Sequence, residues 1–180
     1  MLDEELQNKV LKFYYEKWLL DIWNIHRIGE LLEVEDFKCD ERTLYANADY
    51  LVDHGFLESP MTSMYSTKLT ISGVLEIERK ELSLDSRDRR KVLEHLKQIY
   101  DENPDRRMSK SALMKNLEIE NKKIERIVWY LDELDLVDIS WYGGEFDVII
   151  SSTGIDYLRE PTDLENEREV MAYAYKLFMN

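Results

Sequence analysis

The sequence repeats one short pattern about 80 residues apart, and this repetition constrains the fold more than any other feature. The first copy contains Leu69-Thr70-Ile71-Ser72-Gly73 followed by Ile77, and the second contains Ile150-Ser151-Ser152-Thr153-Gly154 followed by Leu158. The pairs Thr70/Ser151, Gly73/Gly154 and Ile77/Leu158 share an offset of 81. Similar steps precede the two copies, at Gly55-Phe56-Leu57 and Asp135-Leu136-Val137. A repeat of this length indicates two copies of one small domain.

The length of 180 residues fits one ordinary domain or two small ones, and the repeat favours two. We predict a first domain at 1–82, a second at 83–160 and a C-terminal segment at 161–180. A hydrophobic content of 44% is enough for two cores, and a charged fraction of 34% is typical of a globular surface.

Several classes of protein and of site are disfavoured by the sequence. No apolar run approaches the roughly 20 residues of a membrane-spanning helix, and an acidic N-terminus is unlike a secretory signal, so we expect a cytoplasmic protein. The single cysteine, Cys39, excludes an intrachain disulfide and a multi-cysteine zinc site. The three histidines lack metal-ligand spacing, and neither a phosphate-binding loop nor a catalytic carboxylate pair is recognisable. We therefore expect no metal, no cofactor and no enzymatic activity.

In the first domain, apolar residues spaced by three to four predict a long helix over 3–24 and a short helix over 27–33. Asp40 is expected to cap a third helix that ends near His54, and Gly55 to follow it in a left-handed conformation. The remaining elements are predicted to be a strand from Phe56, a turn at 59–63, a strand at 66–71 and a helix at 73–82. The long helix carries aromatic residues on more than one face, so some of them are expected to contact something beyond their own domain. These residues are Phe13, Tyr14, Tyr15, Trp18 and Trp23.

The second domain follows the same order. Helices are predicted at 87–102, from Ser109 to Leu117, and at 121–134. A hairpin is predicted at 136–150, with its turn at Gly143-Gly144. A last helix is predicted from Thr162, where Thr162-x-x-Glu165 has the form of a capping box.

Helix, short helix, third helix and hairpin, in this order, resemble the winged helix-turn-helix domain. The Gly55-Phe56-Leu57 step is similar to that family's entry into the wing, and Leu69-Thr70-x-x-Gly73 is similar to the motif that closes it. The resemblance covers residues 5–160 and implies a mainly α fold with small β-hairpin wings, made of two tandem winged-helix domains plus a C-terminal helix. It also implies that the third helix of a domain enters the DNA major groove and that the wing touches the DNA backbone.

The two predicted domains differ in the charge of their third helices. The net charge is −14 overall, and basic residues concentrate between 79 and 126. The third helix of the first domain offers one arginine, Arg42, among several carboxylates, which is a poor match to phosphate groups. In the second domain, basic residues flank or lie on the third helix, and a tyrosine lies at the hairpin tip. The candidate DNA contacts are therefore Arg106, Arg107, Lys110, Lys115, Lys122, Lys123, Arg126 and Tyr142.

Two functions are compatible with these features. The first is a DNA-binding, transcription-regulator-like protein that contacts duplex DNA through the second domain and forms a homodimer through its terminal helices. MarR-type regulators, which the chain resembles in outline, dimerise in that way. The second is an acidic tandem winged-helix module that binds another protein as an adaptor subunit of a larger complex. The net charge favours the second function and the basic middle third favours the first, which we prefer because regulators are the commonest users of the fold.

Overall fold

The computed structural model describes residues 2–35, 37–59, 66–80 and 85–159, and divides the chain into two compact units, Met1–Leu82 and Ser83–Asn180. Unit 1 contains α1 (Glu4–Leu20), β1 (His26–Arg27), a 3-10 helix (Ile28–Glu33), α2 (Glu41–Asp53), β2 (Leu57–Glu58), β3 (Ser66–Leu69) and α3 (Ile71–Lys80). Unit 2 contains α4 (Ser86–Glu102), β4 (Met108–Ser109), α5 (Lys110–Leu117), α6 (Asn121–Glu133), β5 (Val137–Tyr142), β6 (Glu145–Ile150) and α7 (Ser152–Arg159). The predicted combination of a mainly α fold with small antiparallel β elements is confirmed.

The two units share one order of elements and one strand order. The antiparallel sheets read β1-β3-β2 in unit 1 and β4-β6-β5 in unit 2. Leu57 pairs with Leu69 in the first sheet, and Val137 pairs with Ile150 at the corresponding place in the second. This correspondence is what a duplicated domain predicts. Each sheet also contains a two-residue edge strand, β1 or β4, that we did not predict from the sequence. A strand of two residues is too short to show a periodic pattern.

The helix starts predicted from the capping residues Asp40 and Ser109 are confirmed. The Asp40 carboxylate accepts the backbone N–H of Thr43 at 3.0 Å, and the Ser109 hydroxyl accepts that of Ala112 at 3.3 Å. These bonds satisfy N–H groups that have no partner inside the helix, which contributes about 1 kcal/mol each. Gly55 takes the predicted left-handed conformation, with φ of 72°.

Other boundaries differ from the predictions. α1 ends at Leu20 rather than at residue 24 because Asp21 turns into extended backbone and its carboxylate accepts the N–H of Trp23 at 3.0 Å. The short helix of unit 1 is a 3-10 helix, and Ile71 begins α3 instead of ending the preceding strand. Most of the predicted turn at 59–63, and the predicted helix from Thr162, lie outside the described residues.

Both cores are built around the first helix of the unit. Val10, Leu11 and Tyr14 of α1 are at most 2% exposed, and so are Val92, Leu93 and Leu96 at the corresponding positions of α4. Burying one such aliphatic side chain contributes about 1.5–3 kcal/mol, so these helix faces hold each unit together. Among the described residues, no helix has the length and apolar character needed to cross a membrane.

The repeated motif joins the last strand of each unit to its closing helix through the same contacts. In unit 1 the Thr70 hydroxyl donates to the carbonyl of Gly55 at 2.6 Å and accepts the N–H of Gly73 at 3.1 Å. In unit 2 the Ser151 hydroxyl donates to the carbonyl of Asp135 at 2.6 Å and accepts the N–H of Gly154 at 3.0 Å. One hydroxyl thus caps the closing helix and ties it to the end of the third helix.

The glycine of the motif is required because there is no room for a Cβ atom at its position. A Cβ atom on Gly73 would clash with the carbonyl oxygen of Phe56, and one on Gly154 would clash with the carbonyl oxygen of Leu136. Both obstacles are backbone atoms of the segment that enters the hairpin, so they cannot move away as a flexible side chain would. The closing helix therefore packs directly on the backbone, which explains why the two copies share a glycine at this position.

Candidate functional site

The basic segment of unit 2 (residues 106–126) contains the loop before β4, the helix α5 and the first half of α6. Arg106, Arg107, Lys115 and Lys122 are exposed, as a surface that contacts phosphate groups requires. Arg107 also reaches the hairpin, where its Nη1 donates to the carbonyl of Asp138 and to the hydroxyl of Ser140, both at 3.4 Å. These four residues are the exposed cations of the predicted DNA contact set.

Lys110, in contrast, lies in the interior of unit 2. It is 4% exposed, and its Nζ contacts Glu125 Oε1 at 2.7 Å and the carbonyl oxygen of Gly144 at 2.6 Å. Glu125 is also buried, so this ion pair joins α5, α6 and the hairpin turn. The role of surface phosphate contact that we predicted for Lys110 does not fit this position. The sequence places Lys110 next to its capping serine but does not show that the hairpin turn covers it.

Lys123 and Arg126 are paired with carboxylates at the start of α4. Lys123 Nζ contacts Asp88 Oδ2 at 2.6 Å and Asp85 Oδ1 at 3.5 Å, and Arg126 Nε contacts Asp85 Oδ2 at 3.2 Å. The hydrogen bond to Asp88 raises the pKa of Lys123, and the same contact lowers the pKa of Asp88. The Arg126 side chain is only 13% exposed, so it is not on the open helix face that we expected. These two cations neutralise charges of their own unit.

Lys122 is the most accessible cation of α6, with a side chain that is 58% exposed. It lies 3.4 Å from the second carboxylate oxygen of Glu125. Glu125 is buried but has Lys110 as a closer partner, at 2.7 Å, so it stays paired if Lys122 turns toward solvent. Lys122 therefore keeps the capacity to contact an external anion.

The hairpin of unit 2 presents negative charge around Tyr142. The Tyr142 side chain is 50% exposed at the predicted tip, and the turn beside it uses Gly143 and Gly144 at positive φ. Residues 134–150 contain no lysine or arginine, whereas Asp138, Glu145 and Asp147 carry carboxylates. A hydrogen bond to the Asp147 carboxylate raises the pKa of the Tyr142 phenol, and the charges of Asp147 and Glu145 act in the same direction. A hairpin with this charge is repelled by a phosphate backbone.

The corresponding surfaces of unit 1 are also acidic. Glu41, Asp49 and Asp53 are exposed on α2, beside the single cation Arg42. In the hairpin of unit 1, Lys68 Nζ is paired with Glu58 Oε1 at 2.5 Å. The third helix and the described part of the hairpin in this unit thus offer little positive charge.

Three exposed apolar residues lie close together in the chain at the end of α1 and are a further candidate site, which we name the α1-end patch (Leu20, Trp23 and Ile25). These side chains are 68%, 52% and 48% exposed, respectively. Tyr14, Tyr15 and Trp18, in contrast, are buried. The spread of aromatic residues over several faces of the first helix was a signal of such a surface, but it did not identify which residues form it.

Among the described residues, no group of three or more histidine, cysteine, aspartate or glutamate side chains is arranged to hold a metal ion. Comparisons with protein-family models, with curated proteins and with solved structures found no match to this chain.

Proposed function

We propose that the chain is a cytoplasmic protein of two tandem winged-helix domains that binds a protein partner. The order of elements and the shared closing motif support the winged-helix assignment of both units. The main observation in support of a protein partner is that the third helix of unit 2 offers little positive charge to DNA. Its Lys123 and Arg126 are paired with Asp88 and Asp85 of the same unit.

Electrostatics favours a protein partner over DNA. Binding to DNA depends on cations that replace condensed counterions along the phosphate backbone. To use Lys123 or Arg126 in this way, the protein would have to break ion pairs and leave Asp85, which is 3% exposed, without compensation. The acidic hairpin would add repulsion. Together these terms oppose a close approach of this helix to a duplex.

The α1-end patch provides the contact surface for the partner. Large exposed apolar side chains that lie close together are typical of protein interfaces, and tryptophan is enriched among the residues that dominate binding energy. Residues 1–78 carry a net charge of −9, with 7 basic and 16 acidic side chains. A partner with a basic rim around an apolar pocket has the complementary charge.

A photo-crosslinking experiment tests this proposal. A photoreactive phenylalanine analogue replaces Trp23 in one variant and Tyr142 in the other, so that two aromatic residues of similar exposure (52% and 50%) are compared. We expect a specific crosslink to another protein from position 23, and none from position 142. The addition of Leu20→Ser should weaken the crosslink, because it removes part of the patch. Equal labelling from both positions would contradict the proposal.

DNA binding through a smaller set of contacts is the second candidate function. It is favoured by the exposure of Arg106, Arg107, Lys115 and Lys122. Fluorescence anisotropy with a labelled duplex at about 50 mM salt tests it, since each phosphate contact that is lost reduces the log–log salt slope by about one unit. Binding that falls steeply with salt and is lost in Lys115→Glu plus Lys122→Glu would establish this function in place of the first.

A further inference from the structure

A pocket in unit 1 lies where α1, the end of α2 and α3 meet, and its cavity volume is about 450 Å³. Leu11, Leu51 and Phe56 provide apolar surface, and Glu4 and Glu76 bring two carboxylates. None of the lining residues that the structure describes is a lysine or an arginine. The side chains around this pocket therefore suit a ligand group that is both cationic and partly apolar.

Unit 2 contains the same place, which allows a direct comparison. α1 and α4 are both 17 residues long, and α2 and α6 are both 13 residues long, so their positions correspond one to one. The closing helices are aligned by the glycine of the repeated motif. Three lining residues of the pocket then have these counterparts in unit 2: Gln7 corresponds to Arg89, Tyr50 to Tyr130 and Glu76 to Tyr157.

In unit 2 this place holds the guanidinium group of Arg89. Arg89 is 7% exposed, and its Cζ lies 3.4 Å from the centroid of the Tyr130 ring. Tyr157 is also close: burial raises the pKa of its phenol, and the positive charges of Arg90 and Arg89 act in the opposite direction. A desolvated guanidinium over an aromatic ring is a favourable arrangement. Unit 2 thus supplies a cation to this place from its own first helix.

Unit 1 keeps the aromatic ring but has an amide at the position of the guanidinium. Gln7 corresponds to Arg89, and its Nε2 donates to Asn47 Oδ1 at 3.0 Å. Asn47 is 0% exposed, so this hydrogen bond holds the Gln7 amide against the interior side of α2. The Tyr50 ring stacks on His54, with the two ring centroids 3.8 Å apart. The cation that covers the ring in unit 2 thus has no equivalent among the described lining residues of the pocket.

The carboxylates add negative charge that the corresponding place in unit 2 does not have. Glu76 corresponds to Tyr157, and Glu4 corresponds to Ser86. Glu4 is exposed. Arg79 contacts Glu76 Oε1 at 2.9 Å from the same helix, and an ionised carboxylate can accept hydrogen bonds from more than one donor. The pocket of unit 1 is therefore better suited to a cation than its counterpart, although its own first helix does not supply one.

We propose that this pocket binds an arginine side chain of a partner protein, in the place that Arg89 fills within unit 2. The guanidinium lies on the face of the Tyr50 ring opposite His54. The carboxylates of Glu4 and Glu76 accept its hydrogen bonds, and its methylene groups pack on the apolar lining. Arginine suits the pocket better than lysine because a guanidinium stacks on aromatic faces and is more weakly hydrated than an ammonium group.

This inference rests on the proposed function in one respect, since the ligand is taken to belong to a protein. It adds the chemistry of that partner, a basic segment, which the net charge of −9 on residues 1–78 also favours. The two proposals can fail separately. The described lining of the pocket contains no residue of the α1-end patch, and the probe used below is a small molecule that does not require the partner.

Titration of the full-length chain with Nα-acetyl-arginine amide, followed by NMR of the backbone amides, tests the proposal. We expect saturable chemical-shift changes at Leu11, Leu51 and Phe56. Nα-acetyl-citrulline amide has nearly the same shape without the charge, and it should bind about tenfold more weakly because it lacks the cation–π and charge-assisted contacts. Nα-acetyl-lysine amide should also bind more weakly, since its ammonium group does not stack on the ring.

Two double variants test the carboxylates. Glu4→Gln plus Glu76→Gln should weaken the binding of the arginine probe about tenfold, since it removes both charged acceptors. The matched control, Glu16→Gln plus Glu33→Gln, removes the same charge at exposed positions outside the described lining and should leave the affinity unchanged.

A further variant fills the pocket from within. Gln7→Arg gives unit 1 the residue of unit 2 and should abolish binding of the arginine probe, because the new guanidinium takes its place. The control is Gln7→Leu, which removes the hydrogen bond to Asn47 without adding a cation and should keep the binding.

Four results would overturn the proposal: no saturable binding of the arginine probe to the unmodified chain, equal binding of the citrulline or lysine probe, equal effects of the two double variants, or unchanged binding in Gln7→Arg. Probe binding that weakens as the protein concentration rises would assign the pocket to an arginine of a second copy, and it would also overturn the proposal.

Discussion

Replacing Lys110 with methionine is expected to destabilise unit 2 strongly, although the change is to a residue of similar length. Lys110 is 4% exposed and Glu125 is 9% exposed, and their side chains are 2.7 Å apart. The substitution leaves the Glu125 carboxylate buried with only Lys122, at 3.4 Å, as a cationic partner among the contacts described here. Removing one partner of a buried ion pair typically costs about 3–5 kcal/mol.

The expected loss lies near the lower end of that range, at about 3 kcal/mol, because Lys122 can move closer to the carboxylate. For a unit of this size, such a loss corresponds to a decrease in Tm of about 12–24 °C. It also removes a large share of the 5–15 kcal/mol by which a typical domain is stable. The substitution should loosen the hairpin turn as well, since Lys110 donates to the carbonyl of Gly144 at 2.6 Å.

Urea unfolding followed by circular dichroism measures this effect in the full-length chain. The double variant Lys110→Met plus Glu125→Leu removes both charges and should recover most of the stability, because an apolar pair of similar volume does not leave a buried charge. The coupling energy from the double-mutant cycle should therefore be at least about 2 kcal/mol, since Glu125→Leu alone also leaves a buried charge without its partner. If Lys110→Met alone costs less than about 1 kcal/mol, the pair does not organise the unit as we infer.

Two further predictions concern the packing and the pH dependence of unit 2. Gly154→Ala should lower the free energy of unfolding in urea by at least about 2 kcal/mol, because the new Cβ meets the backbone carbonyl of Leu136. The control is Gly29→Ala, whose Cβ would lie 3.5 Å from a tyrosine hydroxyl and which should change the stability by less than about 1 kcal/mol. Equal effects of the two substitutions would contradict the steric argument. Burial, with a smaller contribution from the charge of Glu133, raises the pKa of Asp132 from 3.8 to about 6, so its contribution to stability is complete below about pH 4 and is lost as the pH rises through 6. Asp132→Asn should therefore be more stable than the unmodified chain above pH 7, and thermal unfolding should show this difference vanish near pH 4.

The features that were predicted correctly share a local origin. The caps at Asp40 and Ser109, the left-handed Gly55 and the Gly143-Gly144 turn each depend on residues within a few positions of one another. The repeated motif was also visible because it occupies one short stretch in each unit. Local backbone preferences and the spacing of capping and turn residues depend only on neighbouring positions in the sequence, so they can be identified without a structure.

The candidate site shows where this approach fails. Seven basic residues between 106 and 126 suggested one positive surface. The partners that neutralise part of it are distant in sequence: Asp85 is 41 residues from Arg126, and the carbonyl of Gly144 is 34 residues from Lys110. In the α1-end patch, the sequence pointed to Trp23 but not to Leu20 or Ile25, since an amphipathic pattern does not show which apolar residues another element covers.

The order of residues alone thus settles that two small, mainly helical units follow one another and where most of their helices begin. Tertiary packing decides which charges remain available to a partner, because an ion pair depends on distances between elements that are far apart in the chain. Lys110 illustrates the difference: its place at the start of α5 follows from the capping Ser109, but its burial follows from the hairpin that folds against it. Composition counts a lysine as positive surface charge, whereas the fold uses this one to hold unit 2 together.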